Sequence, residues 1–113
     1  MAEMKQRIIQ ESVPGKQVTL CHMIAHCDTA LVDKLGMEEE SAAGIMTITP
    51  YEAVIIAADR AVKTSDVELV VVDRFTGTLL ITGKVSSVGP ALCEANRYLS
   101  EVLNFDSTDF TQS

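Results

Sequence analysis

Two histidines and two cysteines lie close together and are the first residues in this chain that could do chemistry. Residues 21–27 read CHMIAHC. The alternation across residues 17–26 predicts a β-strand, in which each residue advances about 3.3 Å, so His22 and His26 would lie about 13 Å apart. One metal ion cannot bind both side chains at that separation. We therefore predict no metal site within one chain and no cofactor, while a site built from one cysteine per subunit around a symmetry axis stays open.

Cysteine nucleophiles are the second chemistry to consider. A nucleophilic thiol needs a base and an orienting group beside it, and no local motif around Cys21, Cys27 or Cys93 supplies them. Cys93 is expected in the core, because cysteine is among the most often buried residue types. The glycines near the C-terminal half are too widely spaced for a phosphate-binding loop. We predict that the chain is not an enzyme.

Composition limits the fold and the partners. The 113 residues fit one domain, 47% of them are apolar, and the net charge is −7. An acidic chain lacks the basic surface that nucleic acid requires. No apolar run of about 18 residues predicts a membrane helix, and no apolar signal segment is seen, so we expect a cytoplasmic protein. The high apolar content of a small domain favours self-association.

Hydrophobic periodicity predicts the order β-β-α-β-α-β-β-α, with helices on one face of a sheet. Asp28 and Gly36 are expected to begin and end the first helix, and Thr49 with Glu52 predicts a capping box for the second. Strands are expected at residues 6–13, 17–26, 43–48, 67–72 and 78–82. The third helix is expected to begin at Ser86 or Ser87 and to carry an apolar stripe on one face: Val88, Leu92, Ala95, Leu99 and Val102. The β-branched run 67–72 predicts a buried strand. The tail from residue 104 is polar and expected to be loose.

Three linked segments resemble one protein family. They are RIIQE at 7–11 with VPGKQVTL at 13–20, GIMTITP at 44–50, and VEL at 67–69 with DRFTG at 73–77. Together they are similar to the circularly permuted, single-domain shell proteins of bacterial microcompartments of the ethanolamine, propanediol and choline utilisation kind. The resemblance covers residues 6–105.

The resemblance implies an α/β permuted BMC-domain sandwich with an antiparallel sheet. It also implies an N-terminal extension at residues 1–16, the permuted domain at 17–105 and a flexible tail at 106–113. Members of the family form cyclic homohexamers that tile into a protein shell, so the expected partners are other copies, other shell proteins and encapsulated enzymes. The implied barrel strand, which caps the central pore in the oligomer, consists of Arg7, Ile8, Ile9, Gln10 and Glu11.

The resemblance also implies roles for two further groups of residues. The implied pore loop consists of Asp73, Arg74, Phe75, Thr76 and Gly77. Lys63 matches a lysine at the hexamer edge, and His26 lies where ordinary shell hexamers carry an arginine for contacts between hexamers. Two alternatives stay open: a regulatory α/β domain that binds a small molecule, and a shell component that carries a metal or iron–sulfur cluster through Cys21 or Cys27.

Overall fold

Residues 15–113 are described by a computed structural model of the chain. The elements are β1 (Gln17–Ile24), α1 (Thr29–Leu35), β2 (Ala42–Thr49), a 3-10 turn (Tyr51–Ala53), α2 (Val54–Thr64), β3 (Val67–Asp73), β4 (Thr78–Gly83), α3 (Val85–Glu101) and β5 (Thr111–Gln112). From residue 17 to residue 101 this order confirms the prediction. The predicted strand at 6–13 lies outside the described residues.

The five strands form one sheet in the order β3-β4-β2-β1-β5. The first four strands pair antiparallel with one another, as expected, whereas β5, a two-residue strand in the tail where no strand was predicted, pairs with β1 in parallel. α3 packs closely on one face of the sheet. A Cβ added at Gly44 would lie only 2.8–3.0 Å from the side chains of Ile81, Val88 and Leu92. Glycine therefore allows the helix to approach the sheet at this point.

The core lies between the sheet and the helices α2 and α3. Its largest fully buried side chains include Met46, Ile48, Leu79, Ile81, Leu92 and Leu99. The small residues Ala57, Ala58 and Ala61 of α2 are buried, so this helix packs closely against its neighbours. The predicted stripe of α3 is also buried except at Val102, which is 53% exposed because the helix ends at Glu101.

Helix termini follow the predictions at α1 only. The Asp28 carboxylate accepts a hydrogen bond from the Ala30 amide at 2.9 Å, and Gly36 ends the helix with φ 69°. The predicted capping box is wrong: Thr49 is the last residue of β2, and the chain enters α2 through the 3-10 turn without a side-chain cap. α3 begins at Val85, one residue before the predicted start, and its first turn also has no side-chain cap.

A β-bulge changes which residues of β1 share a face. Strict alternation places Val18 with Leu20, but the register against β2 shifts between these two residues. Such a shift moves the following side chains to the opposite face. Val18 is therefore buried together with Cys21 and Met23, while Leu20 is exposed.

Two segments at the sheet edges differ from their predicted environments. β3 was expected to be buried, yet it has only β4 as a neighbouring strand and leaves much of its apolar surface open. The tail from residue 104 was expected to be loose, yet Phe105 is buried and β5 pairs with β1. The polar composition of the tail concealed its two apolar anchors, Phe105 and Phe110, which both contact the core.

Candidate assembly surfaces

The predicted pore loop is the turn that joins β3 to β4. The Asp73 carboxylate accepts a hydrogen bond from the Phe75 amide at 2.9 Å, and the Gly77 amide donates to the Asp73 carbonyl at 2.8 Å. The Phe75 amide also lowers the pKa of the Asp73 carboxyl, because it stabilises the ionised form. The turn is therefore held by its own hydrogen bonds and keeps a negative charge at its base.

Gly77 fixes this turn against the neighbouring strand. Its φ of 74° is in the left-handed region, and a Cβ there would lie 2.2 Å from the Ile48 carbonyl oxygen. The Ile48 amide donates to the Gly77 carbonyl at 2.9 Å. The turn is thus anchored to β2, which keeps its tip in one position.

The tip of the turn presents an aromatic ring and a cation. Phe75 is 75% exposed, the largest exposure among the large hydrophobic residues in the described part of the chain. The Arg74 guanidinium carbon lies 5.0 Å from the centre of the Phe75 ring, which is within cation–π range. An exposed aromatic ring beside arginine is typical of surfaces that contact other molecules.

Further exposed apolar side chains lie on two elements that pack beside each other, β3 and α2 with its preceding 3-10 turn. We call these exposed residues the apolar flank: Leu69, Val71 and Val72 of β3, with Tyr51, Ile55, Ile56 and Val62. The register of β3 pairs Leu69 and Val72 with the buried Ile81 and Leu79, on the helix side of the sheet, whereas Val71 pairs with Leu80 on the opposite side. Leu69 alone is 44% exposed. Exposed apolar residues grouped on neighbouring elements mark an interaction surface.

Comparison with known proteins identifies the family. Residues 42–108 match the model of the BMC domain. The shell protein EutS of Salmonella typhimurium is 49% identical over 109 residues, covering 96% of this chain and 98% of EutS. The shell protein PduU of the same organism is 50% identical over 108 residues, covering 95% of this chain and 93% of PduU. This chain belongs to the BMC-domain family of bacterial microcompartment shell proteins.

A solved structure agrees with this assignment at the level of the backbone. The structure described as a flat hexamer of CutR superimposes with a TM-score of 0.86 at 42% identity, covering 96% of this chain and 92% of that chain. The mixed α/β fold with helices on a sheet is therefore the fold of the family. The coarse sequence-based prediction, a structural microcompartment protein, is confirmed.

The two predicted edge residues of this BMC-domain protein lie on different elements of the chain. Lys63 lies in the last turn of α2 and forms an ion pair with Asp59 at 2.9 Å. His26 follows β1, which is separated from β3 by β4 and β2 in the sheet. It lines an open cavity of about 470 Å³ together with Cys27, Asp33 and Glu39. Their joint position at a hexamer edge stays a prediction.

The three cysteines occupy different environments. Burial, with a smaller contribution from Cys93, raises the pKa of the Cys21 thiol to about 12. Burial also raises the pKa values of Cys27 and Cys93, so that all three thiols are protonated at neutral pH. The prediction that Cys93 belongs to the core is wrong, because this residue is exposed on α3. In residues 15–113 no three His, Cys, Asp or Glu side chains are grouped to hold a metal ion.

Sequence reasoning missed an ion-pair cluster that joins α2 to α3. Glu94 binds Arg97 at 2.6 Å and Arg60 at 3.0 Å, and Arg97 also binds Glu101. The two arginines, Arg97 first, lower the pKa of the Glu94 carboxyl to about 2. The spacing of Glu94, Arg97 and Glu101 was visible in the sequence, whereas the contact with Arg60 requires the tertiary fold.

Among the described residues, no helix is long and apolar enough to cross a membrane. The barrel-strand residues, Arg7 to Glu11, lie outside the described part of the chain. The second open cavity, of about 390 Å³, is lined mainly by the acidic residues 38–40 with Asp66 and Glu68.

Proposed function

We propose that this chain is a structural subunit that assembles into cyclic hexamers of a microcompartment shell and has no catalytic role. The observation that carries the proposal is the apolar flank, a set of exposed apolar side chains on neighbouring elements of a chain whose backbone superimposes on a subunit of the CutR flat hexamer. Covering such a surface stabilises an assembly by about 25 cal/mol for each Å² removed from water. A ring covers it on every subunit, because each copy presents the same surface.

The order of elements supports the further proposal that the domain is circularly permuted. The BMC-domain match begins at Ala42, at the first residue of β2, whereas the described fold begins with β1 and α1. Two elements thus precede the matched region, and one of them, β1, nevertheless pairs with β2 inside the same sheet. We therefore propose that residues 17–105 form one permuted domain.

The pore proposal concerns the turn Asp73–Gly77 and the N-terminal segment. The turn is anchored by Gly77 and presents Arg74 and Phe75 at its tip, which suits a loop that faces an axis shared by several copies. We propose that residues 7–11 of the copies form a small β-barrel over this axis. A closed barrel would satisfy the strand edges that a single extended segment leaves unpaired.

The remaining proposals concern partners and location. The ethanolamine, propanediol or choline utilisation context rests on the names of the relatives, which include EutS, PduU and CutR. We propose contacts with other shell proteins through the edge that carries Lys63 and His26, and a location in the shell of a cytoplasmic microcompartment. Encapsulated enzymes are further expected partners.

The decisive test is the mass in solution by size exclusion with light scattering, followed by electron microscopy of the same sample. We expect six times the 12.2 kDa of one chain, and rings with a closed centre. Leu69→Asp places a charge on the apolar flank and should yield single chains, because an unpaired carboxylate is costly to bury. Val102→Asp, a matched change at an exposed apolar residue outside the flank, should retain the hexamer.

Deleting residues 1–14 tests the proposed hexamer and the proposed barrel cap independently of each other. The deleted protein should keep the hexamer but show an open centre. A wild-type mass of one or two chains would contradict the hexamer and would favour a regulatory domain. Hexamers that show an open centre in the wild type would contradict only the barrel.

A further inference from the structure

The open cavity of about 390 Å³ lies at one end of the sheet, where β2 and β3 begin and β4 ends. We call it the acidic cavity. Two of its lining residues, Thr82 and Glu68, are paired directly across β4 and β3. Since successive side chains of a strand point to opposite faces and the neighbouring Ile81 is buried in the core, Thr82 and Glu68 lie on the other face. The acidic cavity is therefore on the side of the sheet away from α2 and α3.

Negative charge dominates the lining of the acidic cavity. One group of carboxylates comes from the loop that joins α1 to β2, and the other comes from the start of β3. One cation, Lys84, lies among them. A cleft lined mainly by charges of one sign attracts ions of the opposite sign. The cavity therefore favours a cationic ligand, and the carboxylates that face it are those of Glu38, Glu39, Glu40, Asp66 and Glu68.

Two hydroxyl side chains in the lining are almost fully buried, Ser41 at 8% exposed and Thr82 at 6% exposed. The Thr82 hydroxyl donates to the Ala42 carbonyl at 2.9 Å, so its oxygen can still accept a hydrogen bond. Within residues 15–113 the Ser41 side chain makes no hydrogen bond, although polar side chains buried to this extent normally have a partner. These two oxygens suit a ligand that donates hydrogen bonds. An ammonium group has three donors and no acceptor.

The spread of the carboxylates favours an extended ligand over a metal ion. In the described part of the chain, no three His, Cys, Asp or Glu side chains are grouped to hold one metal ion. A ligand with several separated positive charges can instead contact carboxylates on both sides of the cavity. Its volume of about 390 Å³ also falls within the range of about 300–1,000 Å³ that is typical of sites for small molecules.

We propose that the acidic cavity binds a linear aliphatic polyamine. One ammonium group of the ligand donates to the oxygens of Ser41 and Thr82, and the others lie between the carboxylates of residues 38–40 and those at the start of β3. The Lys84 ammonium repels the ligand and limits its affinity. Every one of these residues belongs to a single chain, so the site does not depend on the proposed hexamer.

The test is isothermal titration calorimetry of the full-length protein with spermidine at low salt. We expect one spermidine to bind each chain and butylamine, which carries a single ammonium group, not to bind. Ser41→Ala keeps every charge of the cavity and should weaken spermidine binding by about tenfold, because a hydrogen bond to a charged group is lost. Glu68→Gln should also weaken binding, whereas Lys84→Gln should strengthen it.

Glu52→Gln is the matched control for the loss of one negative charge. This exposed residue follows the far end of β2, roughly 25 Å from Ser41 along the strand, so spermidine affinity should be unchanged. Absence of spermidine binding to the wild type would overturn the proposal. Equal affinities of Ser41→Ala and the wild type would also overturn it, because spermidine would then be only a counterion of an acidic surface. Equal losses in Glu68→Gln and Glu52→Gln would place the binding outside the acidic cavity.

Discussion

The apolar stripe of α3 and the apolar run of β3 are both strongly hydrophobic but differ in what covers them. The stripe residues Val88, Leu92, Ala95 and Leu99 are fully buried between the helix and the sheet. The run at Leu69, Val71 and Val72 is substantially exposed on an edge strand. Both segments carry a strong hydrophobic pattern. The pattern indicates that a surface is to be covered, but it does not say whether the same chain or another copy covers it.

This difference separates what holds one subunit together from what holds subunits to each other. Close packing of the stripe contributes to the stability of the single fold at any protein concentration. Covering the β3 run requires another molecule, so its contribution depends on protein concentration. Truncating a side chain of the stripe should therefore lower stability equally at all protein concentrations, whereas the effect of truncating one in the β3 run should depend on concentration.

Leu92→Ala should have the largest effect. It removes most of a fully buried side chain at the centre of the stripe and leaves a cavity, which typically costs about 3 kcal/mol. Urea unfolding at several protein concentrations measures this loss, and we expect the same reduction at each of them. Val102→Ala, on the same helix but exposed, should change the free energy of unfolding by less than about 0.5 kcal/mol. Equal losses for the two variants would contradict the contrast between the stripe and the exposed end of α3.

Val72→Ala should have a smaller effect that depends on concentration. At dilutions where single chains dominate, the loss should be less than about 1 kcal/mol, because the side chain is already partly in water. At concentrations that favour the assembly, the variant should melt further below the wild type. Melting temperatures across a hundredfold dilution series provide the measurement. If the melting temperatures of variant and wild type differed by the same amount across the series, the β3 run would be covered within one chain, as the stripe is.

The sequence predicts the fold well wherever local chemistry determines it. The N-cap at Asp28 and the terminating Gly36 were both predicted from the sequence, because each depends on residues within a few positions. The failures require information from distant residues. The bulge after Val18 depends on the register against β2, and the docked tail depends on a groove formed by β1 and α3.

The candidate surfaces also divide into one that was predicted from the sequence and one that requires knowledge of the tertiary fold. Residues 73–77 were predicted to be a pore loop from the resemblance to the shell-protein family, and the structure places them in the hydrogen-bonded turn that joins β3 to β4. The apolar flank was not predicted, since its residues belong to α2 and β3, which become neighbours only in the tertiary fold. His22 was considered as a metal ligand, whereas in the fold both of its ring nitrogens contact hydroxyl groups, those of Thr111 and Ser113.

The smallest predicted effect concerns the ion pairs that join α2 to α3, which lie next to the stripe and belong to one chain. The pKa of Glu94 is lowered to about 2 from 4.5, so its ionised form is favoured in the folded state. A lowered pKa adds stability that is fully present above about pH 4.5 and is lost as the pH falls towards 2. Glu94→Gln removes the charge, so wild type and variant should differ most near neutral pH and converge in acid.

Unfolding by urea between pH 2 and pH 7 tests this expectation, with Glu38→Gln as a control outside the cluster. We expect the Glu94→Gln difference to shrink over that window and the Glu38→Gln difference to follow no such course. The effect should also be independent of protein concentration, because Arg60, Glu94 and Arg97 belong to the same chain. A difference that grew with protein concentration would mean that the cluster stabilises contacts between subunits. The α2–α3 surface would then belong, like the β3 run, to the surfaces that another copy covers.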